Sequence, residues 1–76
     1  MFEVYYLPPT DPTRELRLAA IVALHGGHLV FREAPEVDGS RCVCLTYEFA
    51  LQPNADKATS DMQAIGEYVE GPYQYT

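Results

Sequence analysis

The sequence predicts an α+β domain with the order strand, helix, strand, strand, helix, strand. Three observations carry that prediction. Short runs of aromatic and branched residues alternate with segments of helical apolar spacing; each helical segment opens at a Pro beside Asp or Asn; each is closed by Gly.

Residues 2–7 form the first expected strand, ended by Pro8-Pro9, which cannot continue a ladder. Asp11 is placed to cap a helix over residues 12–25, with Pro12 at its first position. In that helix Leu16, Ala20, Ala23 and Leu24 recur at helical spacing and Leu18, Ile21 and Val22 widen the stripe, which predicts a broad buried face. Gly26-Gly27 supplies the stop. Residues 28–33 and 41–49 read as an antiparallel hairpin around a Pro and Asp-Gly turn. Pairing Glu33 with Arg41 would set Phe31 opposite Val43 and Leu29 opposite Leu45. The second helix is expected over residues 54–65 with Asn54 as its cap and Ala55, Ala58, Met62 and Ile65 as a narrow apolar face. The last strand is expected over residues 67–75, interrupted at Gly71-Pro72.

Two split βαβ units joined by a hairpin pack most simply as a four-stranded antiparallel sheet with both helices on one face. That is the ferredoxin-like arrangement, expected here as one domain over residues 1–76. The arrangement hosts many unrelated functions and so assigns none.

A chain of 76 residues buries only about 60–65% of the surface its unfolded form exposes, so a second copy is a natural supplement to its stability. With 47% hydrophobic and 21% charged residues the chain has the composition of a globular protein. No apolar run approaches a membrane span and the first residues lack a basic leader, so a cytoplasmic location is the expectation. The net charge of −6 disfavours direct binding to nucleic acid, which normally rests on clustered Lys and Arg.

Candidate chemistry is sparse. His25, His28, Cys42 and Cys44 are the possible zinc ligands, but two cysteines alternating on a strand make a poor knuckle and their Cα atoms would stand about 6.5–7 Å apart, at or beyond the long edge of disulfide geometry. The expectation is therefore two thiols, with no metal or other cofactor. Arg32 opposite Cys42 is the one arrangement that favours a thiolate. Gly26-Gly27 follows a helix, whereas a phosphate loop precedes one.

If Phe2, Val4 and Tyr6 face the helices, Tyr5 and Leu7 face the other way, beside His28, Val30, Arg32, Cys42, Cys44, Thr46 and Glu48. A sheet face of this composition calls for a cover. The reading is a non-enzymatic binding or regulatory domain that self-associates through its outer face, with Tyr5, Leu7, Val30, Arg32, Cys44 and Glu48 at the contact. A homodimer or another protein is the expected partner. The alternative is an enzyme-like or small-ligand domain with a cleft between sheet and helices, and a third reading uses the acidic surface to engage a basic protein.

Overall fold

A computed structural model describes residues 1–34 and 42–72. The elements are β1 (Phe2–Tyr6), α1 (Pro12–Leu24), β2 (Gly27–Glu33), β3 (Val43–Phe49), α2 (Gln52–Ala64) and β4 (Tyr68–Glu70). They build an α+β domain with a four-stranded antiparallel sheet in the order β2-β3-β1-β4. Arg41 and residues 73–75, expected in the third and last strands, lie outside the described residues.

Apolar alternation on the two central strands makes the core, with Thr46 of β3 buried as well. Phe2, Val4 and Tyr6 of β1 and Val43, Leu45, Tyr47 and Phe49 of β3 are buried, and they join Leu18 and Val22 of α1 with Ala55, Ala58 and Met62 of α2 in one cluster. Both helices therefore pack on the same face of the sheet.

Helix α1 begins as its sequence requires: the Asp11 carboxylate accepts the Arg14 N–H at 3.0 Å and Pro12 occupies the first turn. It stops at Gly26, whose φ of +81° is the left-handed conformation that glycine adopts without strain. The face it buries is not the expected one. Leu16, Ala20, Ala23 and Leu24 are exposed, while Leu18 and Val22 point inward with half-buried Arg14, Glu15 and Ile21 beside them. Apolar residues lie nearly all round this helix, so composition permits several rotations; two ion pairs at Arg14 and Glu15 select the observed one.

Helix α2 starts two residues earlier than expected, with Leu51 rather than Asn54 at the cap position and no side-chain cap. Pro53 explains the shift, because Pro is accommodated in a first turn whose amide hydrogens have no helical partner. Ala55, Ala58 and Met62 are buried as the spacing predicts, but Ile65 is exposed and Thr59 takes the remaining inward position, its hydroxyl donating to the Asp56 carbonyl at 2.9 Å.

The hairpin register also departs from expectation. Leu29 lies opposite Tyr47, not Leu45, and Phe31 opposite Thr46, not Val43, with a bulge between Leu29 and Phe31. Gly27 anchors this register. It sits opposite Phe49, and a Cβ on it would overlap the Phe49 ring, so the ring packs where any other side chain would be. The sequence Leu29-Val30-Phe31 offers apolar side chains to either face and so left the pairing open.

Candidate functional site

Among the described residues the helix-free face of the sheet gathers the surface aromatics Tyr5, Phe31 and Tyr68 together with four glutamates. Cross-strand pairing lays out one row as Glu33, Cys44, Tyr5 and Tyr68, and the next as Phe31, Thr46, Glu3 and Glu70. His28 pairs with Glu48 at the end nearest Gly27. The Tyr5 and Tyr68 rings meet edge to face at 6.1 Å between centroids, the favoured aromatic geometry. The Tyr68 hydroxyl donates to Glu70 at 3.3 Å and the Cys44 thiol faces Glu3 Oε2 at 3.5 Å. Beside the tyrosine pair a cleft of about 410 Å³ is lined by Tyr5, Leu7, Cys42, Tyr68 and Glu70 together with Tyr6.

Electrostatically this face is one-sided. Glu3, Glu33, Glu48 and Glu70 lie on it, and among the described residues it carries no Lys or Arg. Burial raises the Tyr5 hydroxyl above the ordinary tyrosine range, and Cys44, Glu3 and Glu70 add to the effect. Burial likewise raises the Cys44 thiol, with Glu3 reinforcing it. A thiolate is thus disfavoured at Cys44.

Arg32 was expected on this face and beside Cys42; the bulge turns it to the other. It pairs with Leu45, a core residue, and its guanidinium donates from Nε and Nη2 to Glu15 at 2.7 and 3.0 Å. Glu15 also accepts from the buried Tyr6 hydroxyl, which in turn accepts the Asp11 N–H at 2.9 Å. This chain of bonds ties the start of α1 to β1 and β2.

The Arg32 hydrogen bond holds the Glu15 carboxyl below the ordinary glutamate range, and the Tyr6 hydrogen bond acts in the same direction against partial burial. A depressed folded-state value means that the unfolded chain binds the proton first as pH falls. The stabilisation is therefore present above the ordinary glutamate pKa and is lost as pH falls through the lowered folded-state value. Glu15→Gln is expected to cost about 1–2 kcal/mol at neutral pH, with the difference from the native chain shrinking in acid; urea midpoints of both proteins at neutral pH and in acid check this.

Of the sequence-predicted contact residues, the structure brings Tyr5, Cys44 and Glu48 together on the open face, with Leu7 exposed at its end and Val30 exposed at the bulge. The metal candidates do not converge. His25 caps α1 and its Nε2 lies 2.8 Å from Asp61 Oδ2 of α2, whereas His28 is on the open face opposite Glu48. Among the described residues no three His, Cys, Asp or Glu side chains are placed to share a metal ion. Phe31, Tyr68, Glu3 and Glu70 belong to the face and escaped the sequence reading. The alternation of β1 already put Glu3 beside Tyr5; Phe31 needed the bulge, and Tyr68 and Glu70 needed the pairing of β4.

A groove of about 520 Å³ runs between α1 and the β2 edge, lined by Pro12, Glu15, Leu16, Ala19, Leu29 and Arg32 with Thr10. The core cluster lies between the sheet and the helices. Among the described residues no helix is long and apolar enough to cross a membrane. The chain matches no protein-family model, and no curated protein or solved structure is significantly similar to it.

Proposed function

We propose that this chain is a non-enzymatic binding or regulatory domain of ferredoxin-like arrangement that docks a basic protein segment on its open sheet face. The arrangement is supported by the strand order, in which β3 lies between β1 and β2 while β1 lies between β3 and β4, so that each βαβ unit is split by a strand of the other. The two free cysteines fit a reducing, cytoplasmic setting.

The observation that carries the reading is the pairing of aromatic and acidic side chains on one uncovered surface. Tyr5, Tyr68 and Phe31 provide apolar area, and four glutamates provide one sign of charge. A face of that kind complements Arg and Lys side chains, whose stems cover aromatic rings while their charged ends meet carboxylates. A second copy stacked face to face would instead bring like charges together, including half-buried Glu3 at the centre. The expected self-association is therefore moved away from this face.

The test is affinity capture from a lysate of the source cells with the untagged chain immobilised, beside Glu3→Lys and Tyr5→Asp variants. A partner with a basic surface should be retained at low salt by the native chain, released as ionic strength rises, and lost by about tenfold or more with Glu3→Lys. Equal retention by native and variant chains, or retention indifferent to salt, sinks the reading.

A further inference from the structure

The two edges of the sheet differ in their protection. Strand β4 is three residues long and is followed directly by Gly71-Pro72, so it offers little backbone for pairing. Strand β2 runs for seven residues, contains neither Pro nor Lys, and exposes Leu29, Val30 and Phe31 by 46%, 45% and 53%. Among the described residues no strand pairs with its outer side. Its one inward-leaning cation, Arg32, is held by Glu15 and does not guard the edge.

The bulge makes this edge complementary to itself. In a straight strand, His28 and Glu33 would point to opposite faces, as would Leu29 and Arg32. Here His28 and Glu33 both lie on the open face, opposite Glu48 and Cys44, while Leu29 and Arg32 both lie on the helix side, opposite Tyr47 and Leu45. An antiparallel two-fold pairing centred between Val30 and Phe31 therefore keeps these four side chains in phase. It sets His28 of each copy beside Glu33 of the other and Leu29 beside the stem of Arg32. Each match occurs twice because the axis relates the copies.

The helix layer extends the same surface. Leu16, Ala19 and Ala23 are exposed at helical spacing on α1, and Leu16 and Ala19 line the groove with Leu29. Across the axis that groove meets its own counterpart, and the small alanines allow the two α1 helices to approach.

We propose that β2 pairs antiparallel with β2 of a second copy of this chain, His28 against Glu33 in both directions, joining two sheets into one of eight strands. The dimer engages His28, Phe31 and Glu33 at the β2 edge of the open face and leaves Tyr5, Tyr68, Glu3 and Glu70 free, and its mass is read with no docked partner present.

The experiment is light scattering of the untagged chain in reducing buffer over a concentration series, with far-UV circular dichroism as the check of folding. The native chain is expected to show the dimer mass, and so is Tyr5→Asp. Val30→Lys, which places a charge at the centre of the paired edge, is expected to give a folded monomer. Glu33→Lys should raise the dimer dissociation constant by about 2- to 30-fold and His28→Glu combined with Glu33→Lys should recover it, because the double variant sets an oppositely charged cross-strand pair on each side of the axis. The charge exchange decides the matter if Val30→Lys does not fold. A native chain that stays monomeric, a dimer broken by Tyr5→Asp but not by Val30→Lys, or a double variant no better than Glu33→Lys overturns the proposal.

Discussion

Replacing Phe2 by Ala is expected to cost about 3–5 kcal/mol, the usual penalty for deleting a buried aromatic ring, and to leave a large share of the chain unfolded at room temperature. Phe2 is fully buried on a central strand. Its ring stacks on Phe49 at 5.5 Å and leans on Tyr47 at 5.6 Å, so truncation opens a cavity between two large core side chains. The same loss frees the Phe49 ring that fills the space over Gly27 and anchors the β2 register. The damage should therefore reach β2 and with it any assembly through that edge. Urea unfolding followed by circular dichroism checks the magnitude: a fall in midpoint without a change in slope marks lost stability, and a loss below about 1 kcal/mol would mean that the N-terminal strand is not part of the core.

The second large effect is expected at Arg14. Its Nε donates to both oxygens of the Glu67 carboxylate, at 2.9 and 3.2 Å, and its guanidinium lies 4.9 Å over the Tyr6 ring. Glu67 has only 3% of its side chain in water while Arg14 keeps 34%. Arg14→Ala removes the cation and leaves the carboxylate buried, which should cost about 2–3 kcal/mol, less than a fully buried pair because water reaches the arginine side. Glu67→Gln keeps an acceptor for the Nε–H and should cost only about 1 kcal/mol. Changing both residues to Leu should come within about 1 kcal/mol of the native chain, since the unpaired charge disappears with its partner. A double variant as unstable as Arg14→Ala would show that packing of the arginine stem, not charge, sets the cost.

These two residues mark the limits of what the chain reveals before it is folded. Phe2, Val4 and Tyr6 alternate with Glu3 and Tyr5, and Val43, Leu45, Tyr47 and Phe49 alternate with Cys44, Thr46 and Glu48; a strand's two-residue period assigned both central strands and their inner faces. Arg14, by contrast, reads as a surface residue outside the apolar stripe, and Glu67 as the start of a strand. They are distant in the chain and meet only when α1 lies against the turn after α2. A pairing of that range leaves no local signature.

The candidate site divides in the same manner. Tyr5, Leu7, Cys44 and Glu48 were legible from alternation, because both central strands have one face committed to the core. Arg32 was not, since a single extra residue in β2 reverses every side chain beyond it, and Leu29-Val30-Phe31 is apolar in either phase. Tyr68 and Glu70 joined the face only through the neighbour that β4 chose.

By itself, then, the sequence determined the order and kind of the elements, the Asp11 cap and glycine stops, and the inner faces of β1 and β3, all of which depend on interactions within a few residues. Tertiary structure decided the rotation of α1, the register and bulge of β2, the strand at each edge, and the separation of an acidic open face from the helices, which hold Arg14, Arg17 and Lys57, and from Arg32, which β2 turns to the helix side. Those choices rest on distant contacts, a ring over a glycine and two ion pairs between elements, whose energies exist only once the layers have met.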